Sequence, residues 1–463
     1  MTMLTATRRD WGVKELLNFV RSNCQIALFV FIIAVLCSLS LVEKVSWALI
    51  CSIDLIILVS YYLHRPQNLF HPNNIVFAFY FLYVVLPTII LFCFSYFSVS
   101  LSLPWSPPDW LEFMPKVFQH IIISFSFIFF GFHYFCRNYT PQKPAPVSVL
   151  MINFWVLLFV VLFLYVVFIH QSGGLNLWIH HYQEAYLQNR KGLGVINFFI
   201  VFLSPLICYL LGLITWKSDG IRKILLIGAS LLLMLFFAYF QGLKSRYPVF
   251  LIIYFYPYLQ PIKITNKRLV IFGTAFFLFL FFANYVRSDG YYSSLAMHVE
   301  YMMSYFNVFY LHDMVLHDFP SGLLNTLYYP LIKYLQFFSQ YDPSADFDLS
   351  IMLTKFYFPN QWYLESATQQ WPLVTDLYFN FYGFIFGWFP LLLYIFILSK
   401  LYQRFCDFHA GFALLYLFEF FRLFSTLRST LVPWDFLVIL FFYSLIYLYT
   451  KCTLYKIPTV RAS

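Results

Sequence analysis

Seven of the chain's 29 arginines and lysines occur in four short segments, each of which adjoins a long apolar run. They are Arg190 and Lys191 in NRKGLG, Lys244 and Arg246 in QGLKSRYP, Arg287 in NYVRSDG, and Arg422 and Arg428 in EFFRLFSTLRST. A charge at membrane depth costs several kcal/mol unless a partner or water stabilises it, so such residues are candidate functional groups. Guanidinium groups offer a planar fork of donors to anions. If the segments converge, their cations form an anion-binding site.

Four of these cations also have a simpler interpretation. Arg428, Lys191 and Lys244 could extend along the apolar surface to lipid phosphates. Arg422 could be neutralised by Glu419, which lies about one helical turn earlier. The functional interpretation depends on the repetition of cations near one side of the membrane.

Groups that could accept a proton are concentrated in one polar stretch of about 90 residues, between Arg287 and Thr375. It carries eight carboxylates against two lysines, and the histidines His298, His312 and His317. Imidazole has an ordinary pKa of ~6.5, which suits proton transfer at neutral pH. A loop of this length is uncommon unless it is functional.

The sequence predicts no cofactor and no bound metal. It contains no HExxH motif, no regular His/Cys ligand spacing, no Walker A loop and no GxGxxG. The eight cysteines lie in or beside apolar runs, so neither a disulfide framework nor a CxxC metal site is indicated. The usual nucleotide-driven mechanisms are therefore excluded.

The composition places these groups in a membrane protein. The chain is 61% hydrophobic and 11% charged, with a mean hydropathy of +0.73, whereas soluble domains carry about 25% charged residues. We expect an all-α, polytopic protein, a single integral membrane domain over residues 1–463, with about twelve helices that each span the bilayer's ~30 Å core. The expected spans are 24–42, 45–63, 75–99, 117–136, 148–170, 195–216, 222–241, 247–260, 268–286, 376–399, 411–428 and 433–450.

The distribution of lysine and arginine predicts the orientation of these spans. With the N-terminus inside, the cytoplasmic segments collect about 18 of the 29 basic residues. The net charge of +9 then largely reflects the lysines and arginines of the cytoplasmic segments, and no nucleic-acid partner is predicted. Both termini are expected in the cytoplasm, and the four cationic segments lie at or near the outer ends of helices.

Two outer loops follow from this topology. The longer, 287–375, precedes the tenth span, and the second covers 171–194. The longer loop is rich in tyrosine and tryptophan, which suit either stacking on a sugar or lying among lipid headgroups. The stretch YMMSYFNVFYLHDMVLHDF is typical of a helix that lies in the membrane interface or partly enters it.

The chain resembles the Wzy-type O-antigen polymerases of the O-antigen polymerase and ligase superfamily. The features that carry the resemblance are the aromatic-rich spans, the segments SGGLNLW and NRKGLG of the second loop, the turn QGLKSRYPVF, and the end of the long loop in TQQWPLVTDLYFNFYGFIFGWFP. In the last segment, the residues that match the family's polar and Asn/Phe/Gly pattern are Thr375, Asp376, Asn380, Gly383 and Gly387. The spacing of Arg190, Gly192 and Gly194 fits the family's outer-loop pattern only loosely.

The resemblance implies glycosyl transfer without a metal at the periplasmic face of the bacterial inner membrane. The substrates would be oligosaccharide repeat units linked to undecaprenyl pyrophosphate, and membrane lipids and a polysaccharide chain-length regulator are the other expected partners. Arg190, Arg246, Arg287 and Arg422 would bind the pyrophosphate, with Lys244 and Arg428 assisting, because fixed cations stabilise charge on the leaving group. The candidate bases for the acceptor hydroxyl are Asp376, Glu365, His312 and His317.

Three other functions remain open from the sequence. An O-antigen ligase is expected to have a histidine close to the end of the long loop, whereas the last one here is His317. A lipid-linked oligosaccharide flippase also has about twelve helices, but it predicts two similar halves and short loops, and we find no internal repeat. A glycosyltransferase with an acidic site in its first outer loop is disfavoured because that loop offers only Glu43.

Overall fold

A computed structural model describes most of the chain as helix. The described residues are 24–97, 110–140, 147–182, 193–241, 243–265, 306–335, 346–365, 368–407 and 410–456, with isolated residues at 185 and between 267 and 303. In chain order the helices are α1 (Cys24–Leu41), α2 (Trp47–His64), α3 (Pro72–Tyr96), α4 (Pro115–Cys136), α5 (Met151–Gln171), α6 (Gly174–His180), α7 (Gly194–Lys217), α8 (Gly220–Gln241), α9 (Leu243–Leu259), α10 (Val308–Asp318), α11 (Tyr329–Leu335), α12 (Leu349–Tyr357), α13 (Pro359–Glu365), α14 (Leu373–Phe381), α15 (Phe384–Cys406), α16 (Ala410–Leu427) and α17 (Phe436–Thr453).

Nine helices in the described part of the chain are long and apolar enough to cross a membrane, namely α1 to α5, α7, α8, α15 and α17. The chain is therefore an all-α, multi-pass membrane protein, as the composition predicts. Two further expected spans correspond to α9, which contains two prolines, and α16, which carries Glu419 and Arg422. The expected span 268–286 falls largely outside the described residues, so the total of twelve stays a prediction.

A short antiparallel sheet joins distant parts of the chain at one end of the bundle. Strand β1 (Val147–Val149), just before α5, pairs with β2 (Leu454–Lys456), just after α17. The Leu150 N–H donates to the Thr453 carbonyl at 2.9 Å. The sequence did not predict this sheet, because three-residue strands leave no periodic pattern to read.

Other helix ends meet at the same end of the bundle. The Arg65 guanidinium, just after α2, donates to the Ile264 carbonyl beyond α9 at 2.9 Å. The Gln403 amide, near the end of α15, donates to the Phe135 carbonyl in the last turn of α4 at 3.1 Å. Each of these helix ends adjoins a segment that the charge distribution assigns to the cytoplasm. The direction in which this end faces stays a prediction.

Helices α7 and α9 pack so closely that only glycine fits between them. A Cβ atom built on Gly212 would lie 2.2 Å from the Tyr254 carbonyl oxygen, which is backbone and cannot move aside cheaply. The Tyr254 hydroxyl donates to the Thr215 hydroxyl at 2.9 Å, one turn further along α7. Small residues allow such close approach between helices in membranes. This contact fixes α9 against the bundle although its prolines remove backbone donors.

The described parts of the polar stretch before α15 form short helices that pack on the other end of the bundle. Helix α10 corresponds to the last part of the expected interfacial helix, and its Asp313 accepts a hydrogen bond from the Met114 N–H, just before α4, at 2.9 Å. The prediction of one continuous helical span over 376–399 is wrong at its start. Helix α14 ends at Phe381, and the membrane-spanning helix α15 begins only at Phe384. Tyr382 and Gly383 both have positive φ there, which ends one helix before the next begins.

Candidate functional site

Asp376 lies at the centre of a buried hydrogen-bond network on α14. Its side chain is only 1% exposed. The Asn380 amide donates to its Oδ1 at 2.7 Å, and the Leu431 N–H donates to its Oδ2 at 2.8 Å. Burial raises the pKa of this carboxyl to about 6, and the two hydrogen bonds only partly oppose that rise. A carboxyl with this pKa can accept a proton near neutral pH.

Local backbone contacts set the position of α14. The Gly322 N–H donates to the Tyr378 carbonyl at 3.1 Å, and the Leu324 N–H donates to the Asn380 carbonyl at 2.9 Å. The Asn380 Oδ1 accepts a hydrogen bond from the Thr326 N–H at 2.8 Å. The segment before α11 therefore binds the end of α14 and fixes the amide that contacts Asp376.

A cleft opens beside Asp376. Its cavity volume is about 10 Å³, which is room for about one water molecule. The residues that line it include the aromatic side chains Tyr329, Phe347 and Trp434 and the polar side chains Thr326, Asp348, Asp376, Asn380 and Thr430.

Two further carboxyls lie close enough to influence this cleft. Asp348 caps α12 by accepting the Ser350 N–H at 2.6 Å, and burial raises its pKa, with Asp435 adding to the rise. Burial also raises the pKa of Asp435, which precedes α17, and the Arg422 charge opposes it. Asp348 in turn raises the pKa of Asp376. The neighbourhood of the cleft is therefore acidic, with Arg422 beside it.

Arg422 is paired within its own helix. Its guanidinium lies 3.7 Å from the Glu419 carboxylate, and the two side chains are 22% and 14% exposed. The Tyr443 hydroxyl donates to the same carboxylate at 2.7 Å. The neutralising partner that the sequence suggested is confirmed. Pairing with Glu419 does not occupy all five N–H donors of the guanidinium, so an anion could still bind to it.

Arg428 packs against rings of the bundle. Its guanidinium carbon lies 5.2 Å from the centre of the Tyr83 ring and 5.9 Å from that of Phe424, within the range of cation–π attraction. Its Nε is buried and has no hydrogen-bond partner among the described residues. Arg428 precedes Leu431, the donor to Asp376, by three residues. The segment that contains Arg428 is therefore hydrogen bonded directly to Asp376.

Of the other four cations that the sequence predicts to bind the pyrophosphate, the structure describes the side chain of Arg246 alone. Arg246, in the first turn of α9, lies within electrostatic range of Tyr165, whose hydroxyl is hydrogen bonded to Ser204 and to the Gln241 amide. This polar cluster is carried by α5, α7 and α8. Arg190 and Arg287 lie outside the described residues, as does the side chain of Lys244. Convergence of all the cations on one anion stays a prediction.

His312 is a fully buried link between helices. Its Nε2 lies 2.8 Å from the Nδ1 of His120 in α4, and its Nδ1 lies 3.0 Å from the Thr375 hydroxyl. Burial lowers the pKa of His312, with smaller effects from His120 and Lys116. Both ring nitrogens are occupied, so this geometry favours positioning α14 over contact with a substrate.

The remaining expected bases are peripheral or incompletely described. His317 is exposed, and its Nε2 lies 3.7 Å from the Asp313 carboxylate. Glu365 is the last residue of α13, and its side chain lies outside the described part. Sequence reasoning missed His120, Asp435 and Trp434 as neighbours of the site. A histidine within an apolar span was a usable signal for His120, whereas nothing in the sequence distinguished Trp434 from the other aromatics.

Replacing His312 by alanine is expected to destabilise the fold. The change leaves His120 and Thr375 without their shared partner, and each buried polar group that loses its hydrogen bond costs about 1–3 kcal/mol. Thermal unfolding in detergent should show a lower Tm. His317→Ala, on the exposed face of the same helix, is the matched control and should unfold near the wild-type Tm. Equal Tm values for wild type and His312→Ala would contradict the positioning role.

Comparison of the chain with protein-family models, with curated proteins and with solved structures finds no match. Within the described residues, no group of three or more His, Cys, Asp or Glu side chains could hold a metal ion. The site is therefore defined by its own geometry: a buried carboxyl, an acidic and aromatic cleft, Arg422 on the adjoining helix α16 and Arg428 directly after that helix.

Proposed function

We propose that this chain polymerises oligosaccharide repeat units linked to undecaprenyl pyrophosphate, as a membrane glycosyltransferase of the Wzy type acting at the periplasmic face of the bacterial inner membrane. The observation that supports the proposal is the hydrogen bond from Leu431 to Asp376. It joins a candidate base to the segment directly after α16, the helix that carries Arg422 and leads to Arg428. Glycosyl transfer from a pyrophosphate needs both kinds of group.

The reaction makes one bond and breaks one. The hydroxyl of the acceptor sugar gives its proton to the Asp376 carboxylate while its oxygen attacks the anomeric carbon of the donor. The bond from that carbon to the pyrophosphate oxygen breaks, and undecaprenyl pyrophosphate leaves with the bonding electrons. Arg422 and Arg428 stabilise the charge that develops on this leaving group, as fixed cations do in a partly dehydrated site. Asp376 later releases the proton to solvent.

The proposal is tested with the purified protein in proteoliposomes that contain lipid-linked repeat units of the strain from which the chain comes. We expect a ladder of lengthening glycans and one undecaprenyl pyrophosphate released for each bond formed. Attachment of glycan to added lipid A core, without lengthening, would identify a ligase instead. Translocation of the lipid-linked unit without bond formation would identify a flippase. Either result would overturn the polymerase proposal.

A further inference from the structure

We propose that Asp54, near the middle of helix α2, is a proton-binding site in the membrane core, and that its carboxyl carries a proton in the folded protein at neutral pH. Asp54 stands seven residues from one end of α2 and ten from the other. It does not line the cleft beside Asp376, so the proton site is independent of the proposed function. Three features support it: the direction in which Asp54 faces, its burial, and the charge of the helices around it.

Asp54 faces helix α3. It lies seven residues after Trp47 and seven before Tyr61, and this spacing of two turns puts all three side chains on one face of α2. The Trp47 ring contacts Phe92 of α3 at 5.6 Å between ring centres, and the Tyr61 ring stacks on Phe77 of α3 at 3.8 Å. The two helices therefore run antiparallel here. Asp54 is directed at the middle of α3, halfway between these two contacts.

The middle of α3 is a π-helical turn, Phe81–Val85. Such turns are rare within α-helices and are frequent at functional sites. The ring of Tyr83, the one polar residue of this turn, packs against the Arg428 guanidinium. Three of the other side chains are apolar and buried, namely Leu82, Val84 and Val85. An apolar surface offers neither a cation to a carboxylate nor a set of oxygens to a metal ion, so a proton is the ligand that it can accommodate.

The carboxyl of Asp54 is buried without a partner. Asp54 is 8% exposed, and its Oδ1 has no hydrogen-bond partner among the residues that the structure describes. An ionised carboxylate in such a place would lose its hydration without gaining a counter-charge or hydrogen bonds. This is costly enough that a buried carboxyl takes up a proton instead.

The helices packed around Asp54 provide no cation. Asp54 is the only Asp, Glu, Lys or Arg within α1, α2 and α3. In α4, which also packs against α2, the only such residue is Lys116, in the first turn. Its ammonium lies over the Tyr378 ring, 5.3 Å from the centre. Within the described part of the chain, no charged side chain lies in electrostatic range of the Asp54 carboxyl.

The histidines of α4 pair with other groups. The Nδ1 of His120 lies 2.8 Å from the Nε2 of His312. The His133 ring lies 4.5 Å from that of His64, the last residue of α2. The other titratable side chains in the interior of these helices or beside Asp54 are thiols and phenols, which do not neutralise a carboxylate. They are Cys51 and Tyr61 in α2 and Tyr80 and Tyr83 in α3.

Infrared spectroscopy can detect the proton directly, with full-length protein in nanodiscs. A protonated carboxylic acid has a C=O stretching band that is separate from the bands of carboxylate and amide groups. The spectrum of wild type minus that of Asp54→Asn at neutral pH should contain the band of one carboxylic acid, and the band should be lost as the pH is raised. Asparagine is neutral and nearly isosteric, so this variant should fold.

The matched control is Asp219→Asn, which removes an exposed carboxylate between α7 and α8. A carboxylate in water is ionised at neutral pH, so this substitution should remove no acid band. Asp54→Glu keeps a carboxyl at the site and serves if the asparagine variant does not fold. With a heavy stable isotope in the carboxyl carbon of aspartate alone, the acid band should shift in wild type and should keep its frequency in Asp54→Glu.

Two results would overturn the proton site. One is that Asp54→Asn removes a carboxylate band and no acid band at neutral pH, which would mean that Asp54 is ionised. The other is that the acid band gives way to a carboxylate band when sodium chloride replaces choline chloride at constant pH, which would identify a site for a monovalent cation. Neither measurement uses glycan transfer, so the proton site and the polymerase proposal can fail separately.

Discussion

Glycan transfer is expected to fall by about 10²–10⁴-fold in Asp376→Asn, the range over which a positioned general base contributes to a rate. Asparagine keeps the shape of the side chain but cannot take the proton of the acceptor hydroxyl. It also offers one acceptor oxygen where Asp376 offers two, to the Asn380 amide and to the Leu431 N–H. The measurement is the initial rate of glycan lengthening in proteoliposomes at equal protein content.

The control for this substitution is Asp313→Asn. Asp313 is also buried and accepts a backbone N–H, from Met114 at 2.9 Å, and burial raises its pKa as well. It does not line the cleft. Transfer should therefore stay close to wild type in this variant. Wild-type transfer in Asp376→Asn, or an equal loss in both variants, would remove Asp376 from the role of base.

The pH dependence of Asp376 gives opposite trends for rate and stability. Burial raises its folded-state pKa from the ordinary 3.8 to about 6. The base must be deprotonated, so the rate should rise with pH and level off above about 6. The folded state holds the proton more tightly than the unfolded chain, so this group's contribution to stability is complete below about pH 4. That contribution is lost as the pH rises through about 6.

Asp376→Asn isolates this contribution, because asparagine does not titrate. The Tm of the variant relative to wild type should increase between about pH 4 and pH 6 and then stay level. Parallel Tm curves for the two proteins across this interval would show that Asp376 has an ordinary pKa.

The second large effect is expected at Arg422, where folding and transfer can be separated. Arg422→Gln leaves the largely buried Glu419 with only the Tyr443 hydroxyl as partner. Breaking a fully buried pair costs about 3–5 kcal/mol, and the exposure of these side chains makes the cost smaller here. Transfer should fall by about 10²–10³-fold, as when a group that stabilises transition-state charge is removed.

The double variant Arg422→Gln with Glu419→Gln distinguishes the two effects. Without the unpaired carboxylate, its Tm should return toward that of wild type, while transfer stays low because the cation is absent. Glu419→Gln alone should keep most of the transfer rate, since the guanidinium remains. Recovery of transfer in the double variant would show that Arg422 serves only to neutralise Glu419.

The sequence predicts the fold class well because the signal for membrane helices is strong and local. Runs of about 20 apolar residues have few alternatives to crossing a bilayer. The ends of helices were harder to predict where an unusual backbone conformation sets them. The break at Tyr382 and Gly383 depends on two residues with positive φ, and tyrosine gives no warning of that conformation. The expected span therefore began too early and absorbed α14.

The parts of the site that depend on the type and spacing of single residues could be predicted from the sequence. Asp376 and Arg422 stand out because charged groups are rare beside apolar runs, and Glu419 was recognisable as a partner from its spacing. The cleft was not predictable, because Trp434 and Asp348 become neighbours of Asp376 only through tertiary packing. His312 shows the same limit: its type suggested proton transfer, but the contact with His120 joins residues 192 positions apart.

The β1–β2 pairing constrains how the protein is made. Asn153, near the start of α5, bonds to Thr453 at 3.3 Å across 300 positions of chain. At ~5–20 residues per second, a ribosome needs roughly 15–60 s to complete the second partner after the first. During that interval the start of α5 lacks the hydrogen bonds that Leu150 and Asn153 make to Thr453. Final packing of the early spans is thus an event that follows insertion of the last one.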